Sequence, residues 1–503
     1  MGVGRVSVDL ACVPLVPPAC MPVFYPNLQL VFRARAAFSS SSSDPAIQPD
    51  RSHPLFRVVT TRAASHPRAP PRPGEYEAGR DREVVENLER MCEVGPSGGD
   101  SSGMSLFTDL LGDPLCRVRH SPNFLMLVRP SPSSVSPVLL VFVIELHWSV
   151  QVAEIAIGPE SREIVGVIRG CVKFVTCGTK NPRCAAGDLD GASPVPIYAK
   201  VAYLLGLRVS PFHRRKGIGL KLVERMEEWC KEKGAEYAYM ATEKDNEPSI
   251  QLFTGRCGYS KFRTPAILVQ PVFAHRLPLP GASVVLPLPT ADAEALYRRW
   301  FAGIEFFPRD IDAVLRNPLS LGTFLAVPGG CAAAGRWQGV EAFLAAPPPA
   351  WAVASVWNSK ALFRLEVRGA ARWRRALAQA TRTIDRALPW LRIPSVPDLF
   401  SPFGLYLVYG LAGDGPAAPS LTRALFHHAH NMARADAGCR VVAAEVAACE
   451  PLRRGIPHWR RLSCAEDLWC VKRLAGEYGE GGALGDWTKA PPPASIFVDP
   501  REF

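Results

Sequence analysis

Apolar residues first recur at helical spacing at Val84, Val85, Leu88 and Met91, behind acids that begin at Glu75. The pattern predicts that order starts near residue 75 with an amphipathic helix. Leu106, Phe107, Leu110 and Leu111 repeat that spacing briefly and predict a second, short helix. Phe124 to Val128 and Ile164 to Val175 are apolar runs of strand length, and together they predict a hairpin whose second strand carries Gly166 and Gly170. Hairpin loops usually span about two to five residues. The proline-rich and apolar sequence between these runs, at about residues 129–156, therefore reads as an insertion foreign to the fold.

An extended segment follows at Ile197 to Val209, then Ser210-Pro211 and a basic, glycine-containing turn. Next comes a strong helix. Leu222, Val223, Met226 and Trp229 share one face, Lys221, Glu224, Arg225, Glu228 and Lys231 the other, and Gly234 stops it. Tyr237 to Thr242 predicts a strand, and Pro248 to Phe253 a short helix leading to Gly258-Tyr259.

The same rhythm returns downstream. Ala291 to Phe301 predicts a helix, and Thr323 to Val327, Trp351 to Trp357, Leu405 to Gly410 and Arg440 to Val446 predict strands. Gly410 and Gly438 stand 204 positions after Gly206 and Gly234. At that offset Arg214, Gly217 and Gly219 become Ala418, Leu421 and Arg423. Residues 281–475 therefore read as a second copy that has lost its glycine turn. Residues 1–74 read as a disordered or transit-like Arg/Pro/Ser-rich extension, and 476–503 as a tail.

Composition sharpens this picture only slightly. The 503 residues exceed what one core organises, and the 48 prolines cluster in loops and in the N-terminal stretch. Of the net charge of +11, residues 1–73 supply five, from eight Arg and three Asp, which argues against a basic nucleic-acid-binding face. The fourteen cysteines form no metal-spaced cluster, so no metal is expected, and scattered thiols suit a reducing compartment. The apolar stretch at Val138 to Ile144 is too short for a span of roughly twenty residues, so no membrane partner is expected.

The chemistry centres on Arg214-Arg215-Lys216-Gly217-Ile218-Gly219. Glycines let backbone approach a ligand, a helix start offers unpaired amides, and three cations add attraction, which together suit a pyrophosphate. Arg214-x-x-Gly217-x-Gly219 after Leu207-Arg208-Val209, with Asn246, Leu252-Phe253 and Gly258-Tyr259 downstream, resembles the signature of the GNAT superfamily of N-acetyltransferases over about residues 75–278. Ser105 to Pro114, Ile168 to Lys173 and Ala241 to Asn246 are more narrowly similar to plant HOOKLESS1-like probable N-acetyltransferases, a likeness that extends through the C-terminal half.

That resemblance implies an α+β fold: a mixed, mostly antiparallel sheet flanked by helices, followed by a degenerate second domain. It implies acetyl-CoA as cosubstrate. Backbone groups of Leu207, Arg208 and Val209 would hold the pantetheine arm, amides from Arg215, Lys216, Gly217, Ile218, Gly219 and Leu220 the pyrophosphate, with Arg214 and Asn246 completing the cofactor site. It also implies a protein amine as acceptor, with histone tails as one candidate, a role in plant growth and a nuclear location, the alternatives being cytoplasm, or chloroplast if the extension is a transit peptide. The sequence departs from the family where a tyrosine acid is common, having Phe253, and where a glutamate base is found, having Tyr203. Tyr203 and Glu243 are the candidate proton acceptors. A weak or inactive acetyltransferase-fold scaffold is the other reading of those departures.

Overall fold

The structure is a computed structural model. It describes residues 78–92, 105–130, 164–180, 195–331, 335–475 and 486–503, with short strands between 58 and 62 and between 140 and 162. Of residues 1–74 only Val58–Arg62 is described, as a strand parallel to Leu140–Glu145. The expectation of disorder for the remainder lies outside the described residues.

The first half runs α1 (Ala78–Met91), β1 (Ser105–Asp109), β2 (Asn123–Pro130), β3 (Ile164–Lys180), β4 (Val195–Val209), α2 (Ile218–Glu232), β5 (Tyr237–Glu243), α3 (Glu247–Ile250), β6 (Ser260–Arg263) and β7 (Ala266–Pro271). The predicted apolar face of α2 packs on one side of the sheet with Ala202, Leu204, Ala238 and Met240. The glycines of β3 permit that approach. A Cβ at Gly170 would lie 2.6 Å from Met226 Sδ, and one at Gly166 2.9 Å from Ile218 Cγ2. On the opposite face, Val85 and Leu88 of α1 cover Cys171, Tyr203 and Tyr239.

The second half repeats this order as β8 (Ser283–Leu288), α4 (Thr290–Trp300), β9 (Ser320–Pro328), β10 (Trp351–Asn358), β11 (Arg364–Arg368), α5 (Arg372–Ala387), β12 (Gly404–Asp414), α6 (Ala418–Ala435), β13 (Cys439–Val446) and β14 (Asp467–Arg473). The parallel pairs match in register, Val201 with Tyr237 in one copy and Leu405 with Val441 in the other. The fold is thus α+β, with mixed sheets flanked by helices.

The division placed near residue 280 does not divide the sheets. Their strand orders are β6-β14-β5-β4-β3-β2 and β7-β13-β12-β10-β9-β8. β14 thus completes the first sheet, pairing Ala241 with Trp469, and β7 completes the second, pairing Val269 with Ala443. A hydrophobic pattern specifies that a strand is buried, not which sheet it joins, so the exchange left no mark in the linear sequence.

Three other expectations are corrected. Residues 105–109 form a strand and not a helix, because β1 pairs antiparallel with β11, Phe107 opposite Glu366. Leu106 and Phe107 are buried by this tertiary partner, which overrides a short helical spacing. The insertion begins later than residue 129, since Arg129 and Pro130 still pair with Gly166 and Ile164, and within it Leu140–Glu145 pairs with Ser149–Glu154. The end of the chain is no peripheral tail: Trp487, Phe497, Val498, Asp499, Arg501 and Glu502 are buried.

That last segment closes a charge network under the first sheet. Lys173 Nζ lies 2.9 Å from both Asp499 Oδ2 and Glu502 Oε1, Arg501 bridges Asp499 and Asp310, and Tyr239 donates to Glu502 at 2.5 Å. Burial opposes ionisation of Asp499, but Arg501 and Lys173 outweigh it and hold the carboxyl far below its usual range.

Two outcomes follow from these contacts. Cutting the chain at residue 280 should leave the first half without a cooperative melt, because β5 loses its neighbour, and supplying residues 281–503 in trans should restore one. Asp499→Ala should cost about 3 kcal/mol in denaturant unfolding, because it removes the buried carboxylate shared by Lys173 and Arg501 and leaves each cation a single acid, Glu502 and Asp310. Because the folded Asp499 value lies below the unfolded value of about 3.9, its contribution is present above that pH and lost as pH falls. Asp499→Asn should flatten this acid limb.

Candidate functional site

The site is shaped by where β4 stops pairing. On one side, Val167 pairs with Arg208 and Arg169 with Leu205, so Gly206 and Leu207 together face Ile168 as a bulge. Gly206 takes φ +63°, and a Cβ there would lie 2.7 Å from Arg169 Nη1, so only glycine fits. On the other side, β4 pairs with β5 from Val201/Tyr237 to Leu204/Met240 and no further, although β4 runs to Val209 and β5 to Glu243. The strands diverge there, leaving a wedge between Leu205 to Val209 and Ala241 to Glu243.

The basic turn sits at the end of that wedge. Ser210 N bonds back to Val165 O at 2.8 Å, Pro211–His213 makes a 3₁₀ turn, and Gly217 caps α2 with φ +75°. A Cβ at Gly217 would meet nothing within 4 Å, so this turn opens outward. Lys221 N bonds to Gly217 O, and the amides of Ile218, Gly219 and Leu220 precede that first helical bond. Arg215, with φ +59°, and Lys216 are exposed, while Arg214 is half-buried with its Nε 3.4 Å from Val209 O. Phe212, 78% exposed, stands beside them.

The structure brings Leu207, Arg208, Val209 and residues 214–220 together, but with divided duties. The Arg208 side chain is buried and turned to Glu89 of α1, which also binds Arg169 at 2.8 Å. Burial raises the Glu89 carboxyl, but Arg169 and Arg208 outweigh it, so this acid is held below its ordinary range. With its side chain so engaged, Arg208 has only its backbone to offer a ligand in the wedge. The Val209 carbonyl already accepts from Arg214 Nε and from Cys92 Sγ at 3.5 Å. Asn246, at the far end of β5, accepts from Ser249 N at 3.3 Å and caps α3.

Tyr203 and Glu243 lie on the sheet face opposite α2 and are both buried. Tyr203 is level with Tyr239, its ring stacked on it at 4.7 Å. Glu243 is four residues farther along β5, on the order of 13 Å away. The two do not form one proton relay, and Glu243 is the one beside the wedge. Sequence reasoning missed Tyr239, Lys173, Asp499 and Glu502, which share the Tyr203 face. The only signal was the charged run Asp499-Pro500-Arg501-Glu502 at the chain end.

Phe253 is buried in a π-helical turn, Gln251–Arg256, edge-on to Tyr259 at 5.2 Å. Lys472 lies over the other ring, and burial pushes the Tyr259 hydroxyl well up, as a packing residue. Burial likewise pushes the thiols of Cys116 and Cys257 up to about 12, far from nucleophilic thiolates.

The second half keeps the scaffold and loses the turn. Gly410 has φ +61° in a bulge between the pairs Val353/Ala412 and Ser355/Tyr409, and β12 leaves β13 after Leu407/Ala443. Ala418 begins α6, Leu421 is buried and Arg423 is exposed, so no glycine cradle forms. The helix histidines have packing duties. His430 Nε2 accepts from Phe273 N at 2.8 Å, with burial taking its pKa down to about 4, and His428 packs on Phe324. Among the described residues no group of metal-ligating side chains occurs and no helix is long and apolar enough to cross a membrane.

Comparison with known proteins places this geometry. The sequence model of the Acetyltransferase (GNAT) family matches residues 142–259. The chain is 56% identical over 432 residues to Probable N-acetyltransferase HLS1 of Arabidopsis thaliana, covering 85% of this chain and 99% of that protein. It is 41% identical over 461 residues to Acetyl transferase GW6a of Oryza sativa subsp. japonica, covering 85% and 96%. Among solved structures, Saccharomyces cerevisiae N-myristoyltransferase with bound myristoyl-CoA aligns with a TM-score of 0.41 and 10% identity, covering 78% of this chain and 76% of that one. With a glycine turn at a helix start, diverging parallel strands and this identity over most of its length, the chain belongs to the HOOKLESS1-like N-acetyltransferases of the GNAT family.

Proposed function

We propose that the donor is acetyl-CoA and the acceptor a protein amine, with lysines of histone tails as the first candidates, and that the protein acts in the nucleus in control of plant growth. The observation that carries the donor assignment is the wedge between β4 and β5 ending on the Arg214 to Leu220 turn. Diverging strands leave backbone groups that must find partners, and an extended amide-bearing arm supplies them. The outward-opening Gly217, three leading amides of α2 and the exposed Arg215 and Lys216 suit a diphosphate at its end. Acceptor, location and physiological role rest on the resemblance to named relatives alone.

Attack of an amine on a thioester needs the amine neutral and the developing oxyanion stabilised. Glu243 is the acid nearest the wedge on the face away from α2 and takes the role of proton acceptor. Glu502, already bound by Lys173 and Tyr239, is less available. No phenol stands at position 253, so departure of the thiolate relies on its own low basicity. The scaffold reading draws on that same Phe253, which is packed in the core where a proton donor is common in the family.

Gly219→Glu should abolish acetyl-CoA binding in calorimetry, with the melt recorded beside it because Gly219 is buried in the first turn of α2. The exposed pair Arg215→Glu and Lys216→Glu should weaken it without touching the core, and Arg423→Glu on α6 should not. Unchanged affinity in all variants would remove the site from residues 214–220. Turnover should rise with pH as the base and the substrate amine lose their protons. Glu243→Gln should lower kcat by about a hundredfold or more and flatten that limb, whereas Tyr203→Phe should leave the limb in place. Acetyl-CoA binding with no amine acetylated at any pH would establish the scaffold reading.

A further inference from the structure

The second half holds a cationic cleft that the transferase site does not use. It has a volume of about 570 Å³ and lies between the chain after β7, the C-terminal half of α6 and the loop after α5. Arg276, Arg392 and Arg434 line it together with His428, and Leu279 and Met432 supply apolar wall. None of its lining residues is acidic. All three arginines are exposed, and among the described residues no carboxylate forms an ion pair with any of them. Arg434 spends one donor weakly on Ala274 O at 3.4 Å, leaving most of its five.

The surroundings deepen the positive field. Burial, then Arg386, Arg440 and Arg434, take the neighbouring Arg382 guanidinium down to about 10. The only acid of α5, Asp385, is turned inward, holding His275 Nδ1 at 2.7 Å, Ala274 N at 2.7 Å and Ser395. Arg392 keeps φ +49°, a conformation costly for a residue with a side chain. Like charges gathered around a cleft with nothing to neutralise them repel one another until an anion enters, and planar guanidinium forks match phosphate oxygens.

We propose that this cleft is a second anion site, taking a phosphate-bearing compound whose remaining part lies on the apolar wall. The volume suits a small organic phosphate. The exposed apolar side chains of Trp390, Leu391 and Ile393 flanking Arg392 equally suit the membrane boundary of an anionic lipid whose headgroup phosphate is taken by the arginines, with the same phosphate chemistry. The site is separate from the residues at 418, 421 and 423, which occupy the other end of α6.

Full-length protein carrying Gly219→Glu, which silences the first-half turn, is titrated with inorganic pyrophosphate and sedimented with phosphatidylcholine vesicles with or without phosphatidylinositol bisphosphate. Binding in either arm is expected, about tenfold weaker for each of Arg276→Glu and Arg434→Glu, and unchanged by Arg423→Glu on the same helix. The arm that binds tells a free phosphate from a headgroup. Should a charge reversal disturb the melt, Arg276→Gln and Arg434→Gln serve in its place. Binding in neither arm, indifference to the arginines, or association only with a duplex oligonucleotide would overturn the proposal. These outcomes are independent of acetyl-CoA binding by the unmutated turn.

Discussion

Four residue pairs hold β4 beside β5, from Val201/Tyr237 to Leu204/Met240, and the strands then part. Buried backbone amides and carbonyls without partners are costly, so strands that part inside a domain must be forced to do so and then compensated. The force comes from the other edge of β4, where the bulge at Gly206-Leu207 changes the register against β3. The compensation is the property that makes the wedge a place for a ligand with its own amides. α2 then starts just beyond the end of β4, at Ile218, with Gly217 as its cap.

A strand that departs from its neighbour on one side needs firm pairing on the other. β5 has it through seven paired residues with β14, which comes from the far end of the chain. The second sheet is closed in the same way by β7, and β1 pairs with β11 across the halves. The two halves are therefore one cooperative object. The second half, with Ala418, Leu421 and Arg423 in place of the glycine turn, thus has a structural duty: its β14 supplies an inner strand of the first sheet, between β6 and β5, and the final residues supply buried charges beneath it.

The position of Gly410 shows how scaffold and site part company. Its left-handed conformation and bulge match those of Gly206, and each glycine faces a close side chain of its own half: a Cβ at Gly410 would lie 2.6 Å from the hydroxyl of Tyr297, which bonds Ser355 at 2.8 Å, where one at Gly206 would meet Arg169. A side chain of its own fills the space beside the second bulge. Backbone geometry is retained because the sheet needs it, while the recognition residues around it have been replaced.

The amino-acid sequence determined most local elements of each copy and the phosphate-type turn, because these rest on interactions between residues near one another: the apolar face of α2, the stop at Gly234, and the cations of Arg214 to Lys216. It also determined the relation between the copies, since an offset of 204 places both bulge glycines in equivalent strands. Only the tertiary structure decided the partners. Ser105–Asp109 became a strand because Arg364–Arg368 lies beside it, and Asp499 and Glu502 became core residues because Lys173 awaited them. The Arg208 side chain went to Glu89 of α1, far away along the chain. Pairings over hundreds of residues depend on which surfaces meet after the local elements have formed, and hydrophobic periodicity records only that a face is buried.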